Sequence, residues 1–538
     1  MATGLRPFRG RSSGELASAI LRDTPRPVSE VRSAVPSDLA RVIARCLEKD
    51  ASARFATMAD VHKALRSGPA RVPTAEQGPS VAVLPFQNLS ADPENEFFGD
   101  GLAEEILNAL TQIDGLRVAA RTSSFSFKGK ATEISEIAAK LRVSTVLEGS
   151  VRRAGNRIRV TVQLVDVANG FHLWSERYDR QMADIFDVQD EIARAIAEKL
   201  KVTLTASGTT RLVKQATTNV QAYELYLRGR ALLLKRGRHV AEGTECLRRA
   251  VDLDPTFAAA WAGLADTYTV RGYWGMAPPG ETMPQALTAA RRAVALDPDL
   301  AEAQCALAMT LLLWERDYAA AEAAFRRCLE LNPAYTQGRC WYAAFSLQFV
   351  RGRSTEGVAE ARRALESDPL SAYATSLLAM CLGCAGQTVE GLEKARLGAE
   401  RDPDSLLTQW VHGLVAHWNG AFEESIAAFK AAEAVSAGHS YTLANAAVAC
   451  ADWGKPAEAR RLHEEVLALS ARSYVPLAQL AASAAAVGEQ DLALDFVRRA
   501  CDEREPILII MARLFPDSRR IREDPRFADV LRRLAFPD

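Results

Sequence analysis

The sequence predicts a multi-domain protein: an α-helical solenoid that follows an α+β domain of order βαβαβββα, with a short helical segment in front. Three observations carry this. Asp-Pro or Asn-Pro dipeptides place prolines at Pro255, Pro298, Pro333, Pro369 and Pro403, spaced 43, 35, 36 and 34 residues apart. A period sustained near 34 marks stacked helical units. Ahead of them, residues 81–203 mix β-like runs (VAVLPF, RIRVTVQLVDV) with amphipathic helical patterns. The length, 538 residues, exceeds what one hydrophobic core holds.

Composition sets the class. Lys and Arg number 66 against 67 Asp and Glu, a formal charge of -1, which gives no bulk attraction to nucleic acid or anionic lipid. An apolar share of 48% and a charged share of 25% fit a folded, soluble chain. Nine scattered cysteines, among them Cys305, Cys328 and Cys450 in Ala-rich helical text, do not read as a disulfide framework and point to a reducing compartment. The stretch Met1 to Gly14 lacks the apolar core of a secretory signal, and no run approaches a membrane span, so a cytoplasmic location is expected.

In chain order, Ser37 would cap a helix through Leu39, Val42, Ile43, Cys46 and Leu47, followed by a turn at Asp50 to Arg54. Residues 67–80 (SGPARVPTAEQGPS) read as a linker. A strand then starts at Ser80, and Gly99-Asp100-Gly101 leads into a helix over Leu102 to Ile113. A strand at Leu116 to Ala120 precedes Arg121-Thr122-Ser123-Ser124-Phe125 and a helix over Ile134 to Leu141. Strands at Thr145 to Arg153 and Arg157 to Val167 flank a turn at Ala154-Gly155-Asn156, and a helix over Ile185 to Leu200 closes the domain. After a polar stretch (204–223), about eight repeats fill 224–508, with 509–538 as a terminal cap.

With each proline at position 32 of a 34-residue unit, Trp261, Leu264, Ala265 and Tyr268 fall at positions 4, 7, 8 and 11. Nine extra residues at Gly272 to Gly280 then make an inserted turn, and Ala308 and Ala379 recur at position 8, where neighbouring helices touch. On these residues the region resembles the tetratricopeptide repeat family, which implies a protein- or peptide-binding solenoid and leaves the ligand open.

Two further resemblances concern the front of the chain. MATGLRPFRG, the stretch from Ser13 to Pro27 and RCLEKDASARF resemble the last helices of a bacterial serine/threonine protein kinase domain. In that family the arginine at the position of Arg54 holds a glutamate in an upstream Ala-Pro-Glu segment, and no such segment is present. The Gly-rich loop, strand lysine and two aspartates of phosphoryl transfer would all lie before Met1, so no kinase activity is expected. Either a decayed fragment or a start inside a longer kinase gene accounts for this. VAVLPFQNLS, FFGDGLAEEIL, TVLEGSVRR and WSERYDR resemble the domain similar to the amino-terminal part of TolB, which implies a signalling accessory module without a catalytic set.

Candidate sites divide into weak and structural. Gly99-Asp100-Gly101 at a helix start would offer N–H groups to an anion, but Asp100 repels one and no P-loop lysine follows. Arg152, Arg153, Arg157 and Arg159 bracket a hairpin and read as a solvated edge. His172, Glu176 and Asp179 are divided between strand faces, which argues against a metal set. Cys381 and Cys384 form a C-x-x-C inside a repeat helix and read as core. Trp410, His412, His417 and Trp418 share one helix and fill gaps between repeats. No cofactor or metal is expected.

The tetratricopeptide resemblance places the first helix of each unit along a concave groove, with Arg228, Asp266, Met309, Leu312, Trp410 and Leu414 as candidate partner contacts. Of the basic clamp that acidic carboxyl termini need, only Arg228 and Asn445 are present. The function expected is a non-catalytic interaction scaffold or sensor of a bacterial signalling system, with a protein or peptide partner and no nucleic acid. The alternative is the regulatory half of a longer serine/threonine protein kinase.

Overall fold

The computed structural model describes residues 37–47, 78–90, 96–130, 132–200, 216–235, 239–436 and 439–537, with isolated positions 7, 8, 15, 25, 54, 55, 57, 58, 60, 61, 202 and 237. Within 1–66 the described secondary structure is α1 (Ser37–Cys46) and a few helical positions, so the expected kinase remnant lies largely outside the described residues. Most of the 67–80 linker does too.

The α+β domain is one mixed sheet with order β3-β1-β4-β5-β6 and β2 beside β4. The strands are β1 (Ser80–Val83), β2 (Gln87–Asn88), β3 (Arg117–Val118), β4 (Thr145–Ala154), β5 (Arg157–Asp166) and β6 (His172–Gln181). Strand β1 runs parallel to both β3 and β4, and is buried on both faces, as its unbroken apolar run requires. Strands β4, β5 and β6 form an antiparallel meander. In β5, Ile158, Val160, Val162 and Leu164 are buried while Arg157 and Arg159 are exposed, so this half of the sheet has one open face.

Helices α2 (Glu96–Thr111) and α5 (Ile185–Lys199) cover the buried face, and α4 (Ile134–Leu141) covers the other side of β1 and β4 through Ile137, Ala138 and Leu141 against Ala82 and Val146. The short α3 (Arg121–Phe125) lies between β3 and α4. Helix α2 begins at Glu96, so Gly99 and Gly101 lie inside it and not, as expected, ahead of the helix. The helix tolerates Gly101 because a Cβ there would stand 2.5 Å from Leu227 Cδ2, in the contact between α2 and the first repeat. Asp100 instead pairs with Lys128 at 2.6 Å.

Eight antiparallel helix pairs follow among the described residues: α6 (Val220–Lys235) with α7 (His239–Leu253), α8 (Ala258–Tyr273) with α9 (Pro279–Leu296), α10 (Ala301–Thr310) with α11 (Tyr318–Leu331), and α12 (Thr336–Trp341) with α13 (Ser354–Ser367). Then come α14 (Ala372–Cys384) with α15 (Thr388–Arg401), α16 (Leu406–Trp418) with α17 (Phe422–Ser436), α18 (Ser440–Asp452) with α19 (Pro456–Ser470), and α20 (Leu477–Ala486) with α21 (Gln490–Asp502). Helices α10 and α12 continue as π-helix over Leu311–Glu315 and Tyr342–Val350. Ala265, Ala308 and Ala379 are fully buried, in keeping with close helix contact at position 8. The inserted turn of the second repeat separates α8 from α9.

The carboxyl-terminal segment, α22 (Pro506–Met511), α23 (Arg519–Arg522) and α24 (Ala528–Leu534), does not merely cap the last repeat. It crosses the inside of the array. Tyr318 donates to the Leu534 carbonyl at 2.9 Å, Arg504 reaches the Trp314 carbonyl, and Phe515 packs on Phe349, Trp410 and Trp418.

Candidate functional site

The inner surface of the array is the place to look for a partner site, and it is filled. Residues 342–350 of the fourth unit and 374–383 of the fifth are buried all round. Helices apolar on every side are core helices, and here their inward faces need a cover. Two pieces of the chain supply it. The inserted turn brings Trp274 within 5.4 Å of the Trp410 ring and 5.6 Å of Tyr441, whose hydroxyl donates to the Tyr273 carbonyl. The carboxyl-terminal segment contributes Ile507, Leu508, Ile509 and Ile510 as well as Phe515.

A buried polar cluster fixes this plug. Asp517 accepts from Trp418 Nε1 at 2.5 Å and from Asn445 Nδ2 at 2.6 Å, and lies 3.3 Å from His417 Nδ1. His417 Nε2 lies 2.9 Å from Asp452, which also meets Arg520 at 2.6 Å. Burial opposes charging of His417, but Asp517 and Asp452 outweigh it and push the imidazole up to about 9.

The candidate groove residues therefore need correction. Met309, Leu312 and Leu414 are fully buried, and Trp410 is buried with its N–H on Asn445 at 2.9 Å. Each is core because the inner face is occupied by the protein's own side chains. Arg228 is paired with Glu242 within the first repeat. Asp266 is nearly buried and accepts from Gln337 at 3.0 Å, at the margin of a small cleft facing the α+β domain. The structure does not bring the six together.

The other weak candidates also resolve. Asp179 meets Arg159 at 2.8 Å, Glu176 accepts from Trp174 and Tyr178, and His172 is exposed, so the three do not converge. All nine cysteines are free; Cys381 is buried, and its thiol is pushed up to about 12 by burial. His412 pairs with Glu424 at 2.7 Å.

Sequence reasoning missed the joint between the two domains. Tyr223, Tyr226 and Leu227 of α6 share one core with Leu102, Ile106 and Phe186. Glu104 of α2 is held by Arg121 at 2.8 Å and Arg230 at 2.7 Å, which keep its carboxyl below the usual range although burial opposes them. Further along, Asp368 accepts from the Ser123 amide at 2.9 Å, from the Thr122 and Ser123 hydroxyls, and from Thr336 at 3.0 Å. An Asp-Pro that marks a repeat boundary thus receives the start of α3. The hydroxyl run Thr122-Ser123 beside Arg121 was the available signal.

Beside the first of these joints a cavity of about 580 Å³ stays open, lined by α2 and the first three repeats. Its carboxylates are Glu105, Asp254, Asp297, Asp299 and Glu302, and Asn108 and Asn332 add amides. Burial, reinforced by the charge of Glu104, pushes Glu105 up to about 8. Asp254 is lowered: burial opposes ionisation, but hydrogen bonds from Thr217 and Thr256 prevail. The arrangement suits a cationic group.

The fold defines a helical-repeat protein fused to an α+β module. Residues 301–335 match the tetratricopeptide repeat family, and residues 76–195 match the family described as the second domain of HilA/YgeH-like transcriptional regulators. The second match replaces the expected resemblance to TolB. Putative adenylate cyclase 3 of Rhizobium meliloti (strain 1021) is 41% identical over 249 residues, 46% of this chain and 42% of that protein. The chain thus spans about four-tenths of the relative's length. Among solved structures, YrrB, described as a tetratricopeptide protein with an unusual peptide-binding site, aligns with 37% of this chain and 97% of its own at 17% identity and a TM-score of 0.24. PilF of Pseudomonas aeruginosa aligns with 41% of this chain and 94% of its own at 15% identity and a TM-score of 0.31. Among the described residues no helix is long and apolar enough to cross a membrane.

Proposed function

We propose that this chain is a non-catalytic protein-interaction module of a bacterial signalling system, and that it receives a basic segment of its partner in the cleft between α2 and the first three repeats. The observation that carries this reading is the contrast in occupancy. The inner face of the later repeats is filled by the protein's own aromatic side chains, whereas the cleft is open and lined by five acidic side chains, of which Asp299 also meets Arg327 at 2.7 Å. A repeat fold supports protein binding in general, and the cleft's charge supports a Lys- or Arg-bearing segment. The α+β domain forms one wall, so a bound segment would touch both domains and bias how they sit against an output domain.

The serine/threonine kinase alternative rests on residues 1–66, which lie largely outside the described residues. The relative's printed activity belongs to a protein of which this chain covers less than half.

The test is fluorescence anisotropy with the full chain and two labelled peptides of equal length, one rich in Lys and Arg and one rich in Asp and Glu. The basic peptide should bind, more weakly as salt rises, and Glu302→Gln with Asp297→Asn should weaken it about tenfold, equivalent to about 1.4 kcal/mol. Equal binding of both peptides, or binding indifferent to the two substitutions, overturns the reading.

A further inference from the structure

Strand β6 is the long edge of the sheet: β5 pairs with one side of it, and among the described residues no strand pairs with the other. Such an edge presents a row of backbone donors and acceptors. Its central residues read Glu176-Arg177-Tyr178-Asp179-Arg180, with Glu176, Arg177 and Arg180 exposed and Asp179 half-buried. Tyr178 points under α5 and is buried. The signs of this stretch invert about Tyr178.

We propose that β6 pairs antiparallel with β6 of a second copy, on a twofold axis at Tyr178, to make one continuous sheet. In that register Arg177 lies opposite Asp179 of the other copy, and Glu176 opposite Arg180. Symmetry doubles each pair, so four oppositely charged pairs form. Directly opposite residues project from the same face, which lets these charges meet. A slip of one residue sets Glu176 opposite Asp179 or Arg177 opposite Arg180. A slip of two sets Arg177 or Asp179 opposite itself. Every slip of one or two residues therefore places like charges together, and a period-two strand fixes the face as well.

Charge on an edge strand usually serves to keep other strands away, and a run of one sign does that best. Here the order of signs attracts a second copy in one register and repels it in the neighbouring ones. Phe171 and Leu173, 73% and 42% exposed, leave apolar area at the same edge. The intrachain contacts of these charges lie at the surface: Asp179 meets Arg159 at 2.8 Å and Arg177 at 3.5 Å, Glu176 accepts from Trp174 and Tyr178, and Arg180 lies 3.5 Å from Glu191.

Sedimentation velocity on the full chain tests this. The wild type should associate to a dimer with rising concentration, and less at high salt. Arg177→Glu should weaken the dimer about tenfold, because symmetry counts each lost pair twice. An acidic chain (Arg177→Asp, Arg180→Glu) and a basic chain (Glu176→Lys, Asp179→Lys) should each be monomeric alone and form a one-to-one dimer when mixed. Association in the mixture also shows that both variants are folded at this edge. A wild type that stays monomeric to its solubility limit overturns the proposal. So does a dimer that persists in the acidic chain alone, or a mixture that fails to associate while the wild type does.

Discussion

The repeat array is built on one period, yet it presents two unlike surfaces: an acidic one along the turns that join the first three repeats, and an apolar one on its inner face. The turns after α7 and α9 and the start of α10 look across an open cleft at α2 and line it with Asp254, Asp297 and Glu302, while Tyr273, Met309 and Leu312 of the same repeats are core. Repeats four to eight look at Phe515, Trp274 and Ile507–Ile510, and their inward residues are Phe349, Leu377, Trp410 and Tyr441. The shared pattern at the helix contacts keeps the solenoid; the turns between repeats are free to carry charge toward water. The open acidic cleft of this solenoid lies along its inter-repeat turns, where they meet α2.

The largest expected effect breaks the feature common to both surfaces. Ala308→Arg places a charged, long side chain at a fully buried contact of α10 and should cost about 5 kcal/mol by overpacking and unpaired burial. Hydrogen exchange should show protection falling over residues 301–350 and spreading to neighbouring repeats, while β4 and β5 keep theirs. Unchanged protection there would mean that position 8 is not an interface.

Phe515→Ala should act on one surface alone. The ring is buried against Phe349, Trp410 and Trp418, and its loss should cost about 3 kcal/mol with a cavity left behind. Exchange should rise in α12, α16 and α18 and stay level around the acidic cleft. A uniform rise would show that the two surfaces belong to one cooperative unit.

The period was legible because each Asp-Pro stops a helix locally, and local chemistry repeats along the chain. The order of the α+β domain was legible for the same reason, through alternation in Arg157 to Asp166 and the continuous run at Val81. The filled inner face was not. It depends on superhelical pitch, which brings Tyr441 to Tyr273 across 168 residues, and no period records that meeting. The inserted turn was visible as nine extra residues, but its direction was not. The apolar text of Tyr342–Val350 and Ala372–Cys384 was the overlooked signal, since a helix with no polar stripe has no face to give to water. Gly99 and Gly101 misled the start of α2 because their intrinsic cost in a helix is smaller than what close contact returns, Gly99 with the Phe86 backbone and Gly101 with Leu227 of α6.

The third prediction uses pH to loosen the plug. His417 is nearly buried and its folded-state value, about 9, lies above the usual imidazole value. A raised value means that the bonus is full below about 6.5 and disappears as pH rises through 9. It amounts to about 3 kcal/mol as an upper figure. Urea unfolding at pH 6.5 and 9.5 should show the wild type losing stability across this window. His417→Gln should be less stable at the lower pH and show a flatter dependence. Parallel curves would remove His417 from the latch.

The smallest effect belongs to the open cleft and separates it from the plug by sign. Glu105 is partly exposed at the cleft, and burial with the neighbouring Glu104 charge raises its carboxyl to about 8. A raised carboxyl disfavours the folded state once ionised, so its contribution is intact at low pH and falls as pH passes from about 4.5 through 8. Water in the cleft screens much of this, which leaves about 1 kcal/mol. Glu105→Gln cannot ionise, so it should be more stable than the wild type at pH 9 and equal to it near pH 5. A cationic peptide seated in the cleft should displace the Glu105 proton, and calorimetry at pH 7.5 in buffers of different ionisation heat should detect proton release that the Gln variant lacks. Proton uptake, or release of the same size from the variant, would place the cation somewhere other than beside Glu105.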